Sequence, residues 1–466
     1  MSTQILAVLV VIFLVLGLVG LFAIYLGFKN RGSEDWSVGG RRLPWYVVVG
    51  TQFATGQGGG MLVASVGIAY AFGWSAMTYG FLSGAGFLVL LIIAKWLRRN
   101  EFTTLPDVLK KLYGDNKILI SLTIILAAIL PIGWLGANMV AFSALFTQLT
   151  GLPTVALMII FAVATLIFVL PAGLLSVAWT DTIFGIMMIV GTIFVAFFTY
   201  NMTGGWNEIV SNVPQESVGI PEGFGAAGAT TILVWLLTQS TNTITNQMYF
   251  QRIYSIDKVK RVNLSVILIF VLAILTSLWS AFMGIAIHSL NPSLDNSENA
   301  MGWLLTQLPT WFIAIFAALI ISTIISTASS CVQSAVVNVT EDIYKSYINK
   351  KASGQKIKQL SRLWSIILLL VVIILASSFP NALDWIITSA AYVTAGLFSP
   401  ILMGYFLKNT NVLTSQGALA SMIFGILGTA LAQIIGVEVY PIFGLSFSLV
   451  ALFVFSLLSK ERLKMS

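Results

Sequence analysis

The sequence predicts an all-α polytopic membrane protein of about thirteen spans, and three observations lead there. Of its 466 residues, 58% are hydrophobic and only 9% charged, whereas a soluble chain carries about 25% charged residues. A water-facing surface cannot be built from that remainder. The apolar residues come in runs long enough to cross lipid, with none of the alternating decamers that a membrane β-barrel needs. Every Lys and Arg, finally, falls on one side of the resulting threading.

Hydropathy places the spans at about 4–28, 45–72, 74–97, 117–148, 153–172, 176–200, 228–249, 262–288, 309–339, 359–379, 382–407, 416–435 and 438–459. The first follows an uncharged Met1 to Gln4 and is too long for a signal-peptide core, so it is expected to be retained. Amphipathic stretches near Leu105 to Tyr113 and Asn299 to Gln307 are expected to lie on the membrane surface. With the N-terminus outside, the inner loops hold Lys29, Arg31, Arg41 and Arg42, then the basic residues from Lys95 to Lys117. Next come Arg252, Lys258, Lys260 and Arg261, then those from Lys345 to Arg362, Lys408, and those from Lys460 to Lys464. The outer loops carry Glu208, Glu216, Glu222, Asp295, Glu298, Asp384 and Glu438. Positive charge stays inside, so the expected location is the plasma (inner) membrane with a cytoplasmic C-terminus. Basic residues spread in this way mark topology and give no surface for nucleic acid. One cysteine, Cys331, and one histidine, His288, leave no disulfide, metal cluster or recognisable catalytic set, so an enzyme is not expected.

Polar side chains in lipid need a reason. The second span contains Gly56, Gly58, Gly59 and Gly60, each about 1 kcal/mol poorer than Ala in a helix. A helix broken there presents backbone carbonyls and amides at mid-membrane. The seventh span packs Thr238, Gln239, Ser240, Thr241, Asn242, Thr243, Thr245, Asn246 and Gln247 into one nominal helix. Two interrupted spans in corresponding places fit two inverted five-helix repeats around a shared site; the plainer alternative is glycine used for close helix packing. In the ninth span Thr323, Ser326 and Thr327 stand at i, i+3 and i+4 on one helical face, and Ser326, Ser329 and Ser330 repeat the spacing. Two such hydroxyl sets suit a hard monovalent cation stripped of most of its water. Asp181, read as the only charged group well inside the membrane, supplies a counter-charge for sodium.

The runs GGRRLPW (Gly39 to Trp45), FATGQ (Phe53 to Gln57), AWTD (Ala178 to Asp181), FQR (Phe250 to Arg252) and TEDIYK (Thr340 to Lys345) share one further property. Their order and spacing resemble those of the sodium:solute symporter family, which includes proline, pantothenate, sialic acid and glucose cotransporters. The resemblance runs from about Gly39 to past Pro400. It implies a five-plus-five inverted-repeat fold with broken first and sixth core helices. A single domain, 1–466, would then comprise an extra helix (4–28), the repeats (45–200 and 228–407) and two C-terminal helices (416–459). The resemblance also implies a main sodium site on Ala54, Gln57, Thr323, Ser326 and Thr327. A second would fall on Asp181, Ser326, Ser329 and Ser330, so two coupling ions are expected. The chain departs from the family where Gln57 is followed by three glycines, so relatives' substrate contacts there do not transfer.

The expected function is sodium-coupled import of a small polar organic solute by alternating access. Gly58, Gly59 and Gly60 would let backbone approach the solute, and Gln239, Asn242 and Asn246, with Asn138 and Tyr392, would supply hydrogen bonds. No basic residue is expected to face the chamber, so a solute carboxylate would be met by helix amides. A passive channel or facilitator needs no cation sites tied to broken helices. A transporter-like sensor would carry a signalling module, for which the few residues after Ser459 are expected to leave no room.

Overall fold

Apolar runs free of turn residues close into helices because lipid offers no partner for an open backbone. The computed structural model describes residues 3–29, 33–171 and 173–465. In chain order come α1 (Thr3–Lys29), the short α2 (Ser33–Val38), and the pair α3 (Trp45–Gly56) and α4 (Gly59–Phe72). Then follow α5 (Ser75–Arg99), the amphipathic α6 (Leu105–Tyr113), α7 (Lys117–Thr150), α8 (Thr154–Val169) and α9 (Leu174–Met202). After the short α10 (Trp206–Ser211) and α11 (Gln215–Val218), a second pair, α12 (Ala229–Asn242) and α13 (Gln247–Ser255), leads to α14 (Val262–Leu290), α15 (Ala300–Gln307) and α16 (Thr310–Val337). The last four are α17 (Gly354–Ser378), α18 (Ala382–Phe406), α19 (Ser415–Ile434) and α20 (Tyr440–Met465).

Among the described residues nine helices are long and apolar enough to cross a membrane unaided: α5, α7, α9, α14 and α16 to α20. The apolar Leu14–Phe28 stretch of α1 and the shorter α8, with the two broken pairs, complete the thirteen expected crossings. Large apolar side chains such as Leu18, Phe197, Ile374 and Leu431 stand exposed on the outer helices, where lipid receives them.

The packing repeats itself with opposite sense. α3 lies on α9 as α12 lies on α18; α5 meets α12 as α14 meets α3; α7 meets α18 as α16 meets α9. The two partners α5 and α14, and likewise α7 and α16, pack on each other. This is the all-α, five-plus-five inverted-repeat transporter architecture. α16 is buried along most of its length, which explains how so many hydroxyls escape lipid.

Contacts between loops define two ends. At the basic end Leu43 pairs with Ser255 and Asp257 through backbone bonds of 3.0 and 2.9 Å, and the Arg41 guanidinium donates to Phe102 O at 2.9 Å. At the opposite end Trp74 Nε1 donates to Val218 O at 3.1 Å and the Leu383 amide to Glu298 Oε1 at 3.0 Å.

Candidate functional site

Both expected breaks occur, and each has a local cause. α3 stops where Gly58 turns extended, at φ −63° and ψ 176°, and α4 restarts when the Leu62 amide donates to Gly58 O at 2.9 Å. A Cβ on Gly58 would stand 1.5 Å from Thr327 Oγ1, so only glycine lets the break press against α16. In the second pair α12 ends after Asn242, and Asn246 caps α13 by accepting from the Met248 amide at 2.9 Å.

Thr327 brings the first oxygen cluster together. Its hydroxyl lies 3.1 Å from Ala54 O, 3.4 Å from Thr55 O and 3.2 Å from Thr323 O. One hydroxyl proton can serve only one of these three carbonyls. Ala54 and Thr55 sit in the last turn of α3, whose final carbonyls have no amide further along the helix, so these oxygens suit a hard cation. Gln57 adjoins it through Gly58. Thr323 is buried one turn away, with its hydroxyl turned to Ile320 O at 2.8 Å.

Asp181, fully buried on α9, collects the second cluster. Its Oδ1 accepts from Ser326 at 2.5 Å; its Oδ2 accepts from Thr51 at 2.6 Å and from Ser330 at 3.1 Å, with Thr55 at 3.4 Å. Ser326 and Ser330 therefore stand where expected. Ser329 does not: its hydroxyl bonds Ile325 O at 2.7 Å and Ser326 O at 3.0 Å on its own helix.

The principal correction concerns Arg252. Read from the sequence as an inner-loop charge, it is fully buried on α13 and ion-paired to Asp181 at 3.4 Å. Its Nε donates to Thr51 at 3.0 Å, one terminal nitrogen donates to Met248 O at 3.0 Å, and the other donates to Thr55 at 2.9 Å and to Ser330. A basic group does face the site, and Asp181 is not alone. Burial of the pair is tolerable because its donors and acceptors find partners. Thr51 and Thr55 were also missed, although their i, i+4 spacing on the second span was the same signal used for the ninth.

The polar seventh span faces inward as expected. Gln239 and Asn242 are buried, and Gln239 Oε1, Asn242 Oδ1 and Asn246 Nδ2 have no partner within the protein. Gln52 joins them from α3: its Nε2 donates to Tyr249 O at 3.4 Å, and its Oε1 is unpartnered. Tyr249 closes one side, since a Cβ on Gly56 would lie 2.7 Å from its hydroxyl, and its ring packs edge-on against Trp134 of α7 at 6.2 Å. Asn138 is buried one turn beyond Trp134, to whose carbonyl it donates at 2.7 Å. Gly59 and Gly60 open α4, but their surroundings lie outside the described residues. Tyr392 lies apart from these amides in its bonding: its hydroxyl donates to Gln433 Oε1 of α19 at 2.7 Å, and it lines a largely apolar groove of about 760 Å³ between α7, α18 and α19.

Comparison with known proteins agrees with this architecture. The chain is 26% identical to the sodium/proline symporter of Salmonella typhimurium, over 94% of this chain and 91% of that protein. It is 27% identical to the osmoregulated proline transporter of Bacillus subtilis, over 100% and 97%, and 22% identical to the sodium/glucose cotransporter of Vibrio parahaemolyticus, over 85% and 79%. Its fold matches that of a Na+-coupled sialic acid symporter in a substrate-bound outward-open state, with TM-score 0.82 at 18% identity, covering 97% of this chain and 98% of that one. A nucleobase-cation-symport-1 transporter in a closed conformation gives 0.61 at 12% identity, covering 91% and 94%. The sodium:solute symporter family model matches residues 36–425. With most of its length inside that match and both helix breaks in place, the chain belongs to the sodium:solute symporter family.

Proposed function

We propose that this sodium-coupled symporter imports a small organic solute of no net charge, holding sodium between the α3–α4 break and α16. The observation that carries this reading is the Thr327 cluster, where a hydroxyl of α16 meets the last-turn carbonyls of Ala54 and Thr55 at the broken end of α3. Ala54, Gln57, Thr323, Ser326 and Thr327 would coordinate the ion, and either helix moving would dissolve the site. That couples ion occupancy to rearrangement of the two repeats, 45–200 and 228–407.

The solute would lie between the breaks, where Gln52, Gln239, Asn242 and Asn246 offer both donors and acceptors, and Trp134 and Tyr249 offer apolar faces. Neutral amides balance no net charge, and the buried Arg252 and Asp181 neutralise each other. A zwitterion or an uncharged solute therefore fits, and proline, named for several relatives, heads the panel to test. Sodium and solute would enter across the plasma (inner) membrane, with the basic end cytoplasmic, the N-terminus outside and the C-terminus inside. The expected second ion rested on the resemblance, which places it on Asp181, Ser326, Ser329 and Ser330; with Arg252 paired to Asp181, the number of ions per solute would depend on whether Arg252 leaves it. Uptake of a labelled solute panel into proteoliposomes, with and without a sodium gradient, tests the reading: accumulation in sodium that vanishes in choline is expected. Downhill equilibration indifferent to sodium would make the chain a facilitator.

A further inference from the structure

We propose that the Asp181 pocket holds one cation at a time, and that the Arg252 guanidinium is a tethered occupant which a second sodium ion must displace. This rests on the sodium-symport reading above. The ligands overlap. Of the four residues suited to a second ion, Asp181 and Ser330 both bond Arg252, Ser326 is engaged with Asp181 Oδ1, and Ser329 faces its own helix. Thr51 and Thr55, the remaining hydroxyls on Asp181, accept from the same guanidinium at 3.0 and 2.9 Å.

Charge leads to the same exclusion. Asp181 and Arg252 sum to zero in a fully buried site. Sodium added to the intact pair would share one carboxylate with a guanidinium already on it, and two cations a few ångströms apart repel each other strongly away from water. Asp342, the other buried carboxylate among the described residues, is engaged elsewhere, where its Oδ1 accepts from Thr104 at 2.7 Å. A released guanidinium would have acceptors on the same two helices: Gln251 Oε1 on α13 and Gln333 Oε1 on α16 are buried and unpartnered.

The exchange has a mechanical consequence. Arg252 is the side chain through which α13 grips Thr51 and Thr55 of α3 and Ser330 of α16. Its displacement removes those bonds and leaves α13 held to α3 by Gln52 on Tyr249 O and to α16 by Cys331 against Met248. The first residue of α13, Gln247, accepts from the Leu105 amide at 2.6 Å and so holds the start of α6. Sodium at Asp181 would therefore loosen the contacts that close the basic end.

The test counts 22Na+ bound per chain of the purified full-length protein, alongside sodium-dependent thermal stability. Wild type is expected to bind one sodium at concentrations where Arg252→Gln binds two, and Asp181→Asn/Arg252→Gln is expected to return to one. Arg252→Gln should also gain a sodium-dependent rise in unfolding temperature that the double variant lacks. Arg252→Lys, a gentler change that cannot reproduce the forked grip, is expected to admit the second sodium at least tenfold below the concentration wild type requires. Wild type binding two ions and the double variant one would make sodium the resident and overturn the proposal. So would Arg252→Gln staying at one, or Arg252→Lys showing no shift. Wild type binding no sodium at all would instead remove the symport reading beneath it.

Discussion

Replacing Gly58 with alanine probes the contact on which the proposed main cation site depends. The added methyl would lie 1.5 Å from Thr327 Oγ1 and 2.7 Å from Ala54 O, where ordinary contact begins near 3.4 Å. Thr327 can rotate away, but its hydroxyl then abandons the carbonyls of Ala54, Thr55 and Thr323. The Ala54 carbonyl is backbone and cannot retreat cheaply. Overpacking costs about 1–3 kcal/mol and the lost hydrogen bond about 1 kcal/mol, so destabilisation of about 2–4 kcal/mol is expected, a shift of several degrees in thermal unfolding. Loss of one cation ligand worth about 1.4 kcal/mol would raise the sodium concentration for half-maximal uptake about tenfold. Adding Thr327→Ala removes the hydroxyl clash, so stability should partly recover while sodium affinity stays low. That split separates packing from coordination. A Gly58→Ala protein with wild-type unfolding temperature and wild-type sodium dependence would refute the reasoning.

Three further outcomes are expected. Asp181→Asn alone leaves Arg252 buried and unpaired, at a cost of about 3–5 kcal/mol, whereas Asp181→Asn/Arg252→Gln should recover most of the thermal stability; equal losses in both would contradict the pairing. Ser326→Ala should weaken sodium activation of uptake more than Ser329→Ala, because Ser326 touches Asp181 while Ser329 serves its own helix; indistinguishable curves would count against the shared-ligand role. In a Cys331→Ala background, cysteines at Thr241, Asn242 and Asn246 should react with a water-soluble thiol reagent and be protected by solute, and uniform inertness would return the seventh span to simple packing.

Most of the fold was legible because lipid enforces strict rules. Apolar length sets where helices cross, and glycine and amide density marks where two of them break. Gly58 and Asn246 illustrate why the breaks could be read: one is the residue that close approach to Thr327 demands, the other a helix cap stranded inside a nominal span. The hydroxyl face of α16 was readable for the same reason, since a helical period converts directly into a shared surface. Tyr392 was not. A tyrosine on a core helix has no sequence signature that tells a solute site from a contact with the next helix, here Gln433.

Arg252 escaped for a more instructive reason. Positive residues flanking a span are read as topology markers, and FQR sits where such a marker belongs. That rule is statistical, whereas the requirement that a buried carboxylate find a counter-charge is physical. Asp181 lies in an apolar helix and needs a cation. A sodium ion in this pocket would supply one only while bound, and the carboxylate must survive in the fold without it. A tethered guanidinium meets that need. It compensates Asp181 in the structure, and under the exchange proposed above the same oxygens would pass to a smaller cation. The polar α13, too hydrophilic for lipid and too buried for a loop, is the element that carries it. Wherever a single acid stands on an apolar span, the nearest arginine at the end of a broken helix should therefore be sought as its partner before it is assigned to the membrane surface.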